Sequence, residues 1–180
     1  MIKVVDTSVI SALAGEIPSI DLMDIVGDHY SIVTVSAVID ECIDSGNPKY
    51  INAVMSLDEL SLDEGYHELV DRISKISIRL HSGEINVMAA SLCLARNGIE
   101  NYAVIDDRLA RKIFDRIKIN PSIVSLMGDS VDNAHITGTI GLVHHLRDRG
   151  FITSDESSKI AFDLERSSFR ISDDLLDLLR

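Results

Sequence analysis

Three times in this chain a short, largely apolar run stops at a side chain suited to begin a helix, and a helical pattern follows. Ile2-Lys3-Val4-Val5 leads into Asp6-Thr7-Ser8, and Ser31-Ile32-Val33-Thr34-Val35 leads into the helical pattern Ser36–Ile43. Tyr102-Ala103-Val104-Ile105 leads into Asp106-Asp107 and a basic helix. Short apolar runs bounded by turn and capping residues fit strands buried on both faces, and Asp, Ser and Thr satisfy the free amides of a helix start. Strands that alternate with helices need crossover connections, and these build a parallel sheet with both faces covered. The expected fold class is therefore α/β, three layers with a central parallel sheet flanked by helices.

The remaining segments fit around that sheet. Pro18 suits the first turn of a helix, and Gly46 with Pro48 closes the helix after the second strand. An edge strand is expected near residues 57–62, and Ser61 or Asp63 can start an amphipathic helix carrying Leu69, Val70, Ile73, Ile76 and Leu80. The Ser82-Gly83 pair breaks that helix. Residues 85–95 are apolar nearly all round, which places their helix at the centre. Ile123-Val124-Ser125-Leu126 reads as a fourth strand and the polar stretch 127–136 as a loop.

Beyond it the pattern is helical only. Residues 137–149 end at Gly150, Thr153-Ser154-Asp155-Glu156 is a capping box, and Ser172 caps a short helix over 173–179. The division expected is a domain over 1–126, a loop over 127–136, and a helical extension over 137–180. The extension would pack on the domain or on a partner. Leu175, Leu176, Leu178 and Leu179 are too few to fold alone, so they should dock on the tail helices, a second subunit or another protein.

Charge narrows the function. The chain of 180 residues carries a net −12, which argues against a generic nucleic-acid coat protein. Residues 1–100 hold 16 acidic and 6 basic side chains, whereas Arg108, Arg111, Lys112, Arg116 and Lys118 cluster on one helix. Carboxylates can hold cations while such a helix meets phosphate; Arg108 and Arg111 are the candidate phosphate contacts, with a salt bridge inside the helix as the alternative. No apolar run approaches the roughly 18 residues of a membrane span. The first residues enter a strand pattern directly, so a cytoplasmic location is expected and no membrane partner. Cys42 and Cys93 lack disulfide or metal spacing and read as two buried thiols. His135, His144 and His145 read as surface or packing residues rather than a zinc site.

The acids fall in a pattern. In an open parallel sheet, ligands bind in the crevice beyond the carboxyl ends of the strands. Asp6 follows the first strand, Asp106 and Asp107 follow the third, Glu41 lies early in the helix after the second, and Glu84 lies in the first turn of the central helix. Each has an ordinary explanation alone: Asp6 and Asp107 as N-caps, Glu84 as a favourable charge at a helix start. Glu41 is the informative one, because its helix is otherwise largely apolar. Carboxylates gathered at one edge repel unless a counter-ion or raised pKa values relieve them, and Mg²⁺ or Mn²⁺ with its preference for oxygen ligands suits such a set.

These residues resemble the PIN-domain family over roughly 1–126. Val4-Val5-Asp6-Thr7-Ser8-Val9-Ile10 is similar to the family's opening motif, and Val35-Ser36-Ala37-Val38-Ile39-Asp40-Glu41 to its second acidic motif. Ser82-Gly83-Glu84 through Ala90 resembles the third, with Glu where many members have Asp. Ala103-Val104-Ile105-Asp106-Asp107-Arg108 resembles the fourth. The resemblance implies a PIN-like nuclease fold, ribonuclease activity dependent on Mg²⁺ or Mn²⁺, and frequent homodimerisation. It implies Asp6, Glu41, Glu84 and Asp107 as catalytic metal ligands, Asp106 as an alternative or auxiliary ligand, and Thr7 or Ser8 as the residue that orients Asp6. The products would be a 5′-phosphate and a 3′-hydroxyl.

The tail, from Gly138-Thr139-Ile140-Gly141-Leu142 through Phe169-Arg170-Ile171-Ser172-Asp173-Asp174-Leu175, resembles a branch with a C-terminal helical extension. It departs from the shorter VapC-type toxins, so an antitoxin partner and an RNA-processing role both stay open. The principal alternative is a PIN-like module that no longer cuts and serves RNA binding or scaffolding. A HAD-type phosphatase wants a second aspartate where Ser8 stands, and a receiver domain wants its aspartate after a middle strand.

Overall fold

The computed structural model describes residues 1–62, 65–167, 169 and 172–180. Asp63, one of the two expected helix starts, and Arg170 and Ile171 of the tail motif lie outside the described residues. The chain forms a five-stranded, wholly parallel sheet: β1 (Ile2–Val5), β2 (Ser31–Thr34), β3 (Asp58–Glu59), β4 (Asn101–Val104) and β5 (Ala134–Thr137), in the order β3-β2-β1-β4-β5. β1 therefore sits at the centre, with Val4 opposite Val33 on one side and Ala103 on the other.

Helices cover both faces. α1 (Thr7–Ser11) runs on as a π-helix to Glu16, and α2 (Leu22–His29), α3 (Ser36–Asp44), α4 (Pro48–Met55) and α5 (Gly65–Ile76) follow. α6 (Ser82–Arg96) is the expected central helix: an unbroken stretch from Val87 to Ala95 is buried. The fully buried Asn101 fixes it to the sheet by donating to the Ser91 carbonyl at 3.0 Å and accepting the Ser91 hydroxyl at 2.6 Å. α7 (Arg108–Lys118) and α8 (Pro121–Met127) come next. α9 (Thr139–Asp148), α10 (Ser154–Arg166) and α11 (Asp173–Leu176) form the C-terminal part.

Four expectations change. Ile123–Leu126 is not a strand but lies within α8, whose N-cap Asn120 accepts from the Ser122 amide and whose first residue is Pro121. The stretch 127–136 is not a loop: a 3-10 turn (Gly128–Asn133) leads into β5, which pairs with β4 and closes that side of the sheet. Pro18 does not open a helix; Asp21 caps α2 instead. The Ser82-Gly83 pair does not follow the helix as a break but begins the next one. The C-terminal leucines dock on the chain's own tail helices. Leu176 and Leu179 are buried, and the Ser157 hydroxyl donates to the Leu179 carbonyl at 2.6 Å.

Cys42 and Cys93 are buried free thiols. His135 lies against the Tyr102 ring and faces Glu100, and His144 pairs with Asp148 at 2.9 Å. No described helix is long and apolar enough to cross a membrane.

Candidate active site

The chain's path puts the site at the centre of one sheet edge. From β1 it winds outward through β2 and β3, then crosses back to β4 on the other side. The reversal leaves a crevice between the carboxyl ends of β1 and β4, where doubly wound sheets bind ligands. Asp6 is the first residue after β1 and its amide bonds the Val104 carbonyl of β4 at 3.1 Å, so its backbone spans the reversal. A surface hollow of about 570 Å³ beside Tyr30, Ser31 and Asp58 opens at the opposite ends of the strands, away from these acids.

Asp6 stands at the N-cap position of α1, but its side chain makes no capping hydrogen bond. It is 6% exposed and accepts the Ser8 hydroxyl at 2.9 Å. Burial pushes its pKa up to about 6; Ser8 and the Thr7 amide pull it down, and the charges of Glu41 and Glu84 push it up further. Glu41 is half-buried and takes two donors from other elements. The Thr7 hydroxyl donates to Oε2 at 2.5 Å and the Gly83 amide to Oε1 at 3.0 Å. Of the two hydroxyls expected to orient Asp6, Ser8 does so and Thr7 serves Glu41.

Glu84 is buried, and its carboxylate accepts from the His81 amide at 2.9 Å, closing the first turn of α6. Burial raises its pKa, the His81 contacts lower it, and Asp107 and Glu41 raise it. Asp107 is exposed and caps α7 through the Ala110 amide at 2.7 Å, as its ordinary reading required. Asp106 is turned elsewhere. It accepts from the amide and the hydroxyl of Thr139, both at 2.7 Å. Burial raises its pKa, and the Thr139 bonds and Arg111 lower it. So Asp6, Glu41 and Glu84 act on one another, Asp107 joins them through Glu84, and Asp106 braces the start of α9.

The two candidate phosphate contacts also differ. Arg108 is exposed beside Asp107, whereas Arg111 is half-buried and donates to the carbonyls of Ile105 and Asp106 at 2.9 and 2.7 Å. Gly83 and the Gly138-Thr139 turn hold parts of the site that sequence reasoning missed. A Cβ on Gly83 would lie 2.7 Å from Glu41 Oε2 and 3.0 Å from Asp6 Oδ1, so only glycine lets α6 approach both acids. The signal was a glycine in a helical first turn directly before Glu84, where it adds no side-chain contact of its own.

A family model described as a PIN domain matches residues 2–123. The chain belongs to the PIN-domain family. PIN domains are generally nucleases and typically use divalent metals, so membership of the family supports a hydrolase. No curated protein and no solved structure matches it significantly. The PIN match ends before β5, so Thr139 lies outside the matched segment.

The acids fit a divalent cation by donor chemistry. They are hard carboxylate oxygens, with Asp6 and Glu84 buried, Glu41 half-buried and Asp107 exposed, and they act on one another as like charges. As placed, their oxygens are turned to hydroxyl and amide donors. Among the described residues, no three His, Cys, Asp or Glu side chains are already grouped to hold a metal ion.

Proposed function

We propose that this PIN domain is a divalent-metal-dependent ribonuclease, with Asp6, Glu41, Glu84 and Asp107 as the carboxylates that hold Mg²⁺ or Mn²⁺. The observation that carries the reading is the meeting of Asp6 and Glu41 over Gly83, with Glu84 on the next residue. A helix start with no side chain at its contact point brings acids from three elements together, although their mutual repulsion raises the cost of burial. When bound, the cation neutralises phosphate charge and activates the attacking water.

The chain's own groups do the rest. Ser8 holds Asp6, and Thr7 with the Gly83 amide holds Glu41, fixing the direction of both carboxylates. The buried floor under Asp6 and Glu84 lowers the local dielectric and strengthens each charge–charge interaction there. Arg108, exposed and next in sequence to Asp107, would meet a phosphate of the bound strand in this reading. The toxin and RNA-processing roles share this chemistry, and an antitoxin or a second copy would belong on a surface away from the carboxylates.

The test is cleavage of RNA with Mg²⁺ or Mn²⁺, abolished by EDTA, together with a saturable Mn²⁺ site lost in Asp6→Asn. Wild-type cleavage by that variant would sink the assignment. A folded wild type without a saturable Mn²⁺ site would instead favour the non-catalytic, RNA-binding reading.

A further inference from the structure

We infer that Thr139 is a positioning residue that decides which of the two adjacent aspartates, Asp106 or Asp107, enters the carboxylate cluster. This rests on the nuclease reading above and deepens it. Successive side chains on extended backbone point to opposite sides. The chain stays extended beyond β4: the Ile105 amide still pairs with the Thr137 carbonyl at 2.8 Å, and Asp107 has φ −64° and ψ 122°. Asp106 and Asp107 therefore diverge, and whatever captures one sets the direction of the other.

Thr139 captures Asp106 at both oxygens, its amide on Oδ1 and its hydroxyl on Oδ2. Hydrogen bonds to a charged acceptor are about twice as strong as neutral ones, and this pair is bidentate. Thr139 is fully buried at the start of a ten-residue helix, where free amides and the helix dipole favour an anion. Gly138 leaves the room for it: a Cβ there would lie 2.8 Å from Asp106 Oδ1 and 2.9 Å from Arg111 Nη1. Arg111, bound to the Ile105 and Asp106 carbonyls, grips the same peptide from the side of α7. Asp107 is left facing the other way, with one oxygen capping α7 and its charge bearing on Glu84. The segment beyond the family match thus selects a residue within it.

The experiment compares full-length T139V, T139S, D106N, D107N and the double variant D106N/T139V. Mn²⁺ affinity is measured by calorimetry on samples whose melting curves show a folded chain. T139V keeps shape and amide but loses the hydroxyl, so it should weaken Mn²⁺ binding about 10- to 100-fold, the usual range for partners that orient a ligand. T139S should stay within a few fold of wild type. D106N should match T139V, the double variant should fall no further, and D107N should lose more than any of them. Wild-type affinity in folded T139V, or a greater loss in D106N than in D107N, overturns the proposal. Should T139V fail to fold, G138A carries the same expectation by crowding Asp106.

A crystal structure of T139V supplies a readout independent of the metal. The expected result is Asp106 held to α9 by one oxygen only and turned from its wild-type position, with Asp107 off the Ala110 amide; an unmoved Asp107 overturns the proposal. If the wild type binds no Mn²⁺, the nuclease reading fails, and this second readout still decides the role of Thr139.

Discussion

Lys3 and Asp6 belong to the same central stretch of chain, three residues apart, and both are shut away from water, yet their surroundings treat charge in opposite ways. Among the described residues Lys3 Nζ has no hydrogen-bond partner, but it lies 3.7 Å from the centre of the Tyr102 ring and 4.8 Å from that of Tyr30. Aromatic faces attract a desolvated cation by about 2 kcal/mol, so the neighbourhood softens the cost of burial. Burial, aided by Arg149 and opposed by Glu100, still brings the Lys3 pKa down to about 8. Asp6 has hydrogen-bond donors, but two further acids add to its burial cost. Lys3 has one like-charged neighbour offset by Glu100 and two aromatic faces, whereas both charged neighbours of Asp6 add to its cost. Under the nuclease reading proposed above, the contrast is between a tolerated buried charge and one kept for use.

The strongest way to break this comparison is Asp6→Asn. RNA cleavage should fall at least about a thousandfold, while stability in EDTA at pH 7 stays level or rises by about 1–3 kcal/mol as a buried charge among like charges disappears. A large loss of stability would mean that the carboxylate supports the fold.

Next in size is a pH effect. An acid whose folded pKa exceeds its unfolded value binds more protons when folded, so its contribution is complete below the unfolded value and is lost as pH rises through the folded one. For Asp6 that window runs from 3.8 to about 6 and amounts to ~3 kcal/mol. Denaturant titrations of the chain in EDTA should show the loss across that window, and Asp6→Asn should remove it.

Gly83→Ala should come third. Its Cβ meets the ends of two side chains rather than backbone, so stability should change by less than about 1 kcal/mol. The displaced acids should lower cleavage roughly a hundredfold, the scale of a 1 Å misplacement. Equal losses of stability and activity would show that the close approach is only packing.

Lys3→Met is the smallest test. At pH 7 the variant should be more stable than wild type by about 1 kcal/mol, since a well-packed apolar side chain commonly replaces a buried ion without loss. For a base with a lowered folded pKa the sign reverses: the folded state gives up its proton first, and wild-type stability should rise between about pH 8 and 10.5. The variant should lack that rise. A less stable variant would show that the two tyrosine faces outweigh the burial cost.

Much of this architecture was legible because the alternation of apolar runs with capping residues is itself the physical cause of a parallel sheet. The edge position of Asp6, Glu41, Glu84 and Asp106-Asp107 follows from the same alternation. Ile123–Leu126 misled because a short buried apolar run has no periodicity to separate helix from strand; Asn120-Pro121, a cap followed by a first-turn proline, was the better signal. β5 was hidden by its composition, since it lies at the sheet edge and carries His135 and Thr137. The division of labour between Asp106 and Asp107 was not legible at all. It depends on Thr139, 33 residues further on, and only the pairing of β5 with β4 brings the two together.

The central place of β1 also dictates when the site can exist. Its partner β2 follows after one helical crossover, but β4 arrives only about 100 residues later, and contacts between distant residues must meet the entropy of closing the intervening chain before they give any stability. During synthesis, Asp6, Glu41 and Glu84 all emerge before β4 can pair with β1 and shut the crevice around them. The last acid, Asp107, follows β4 itself, so the set of carboxylates is complete only once the strand that closes the crevice has been made.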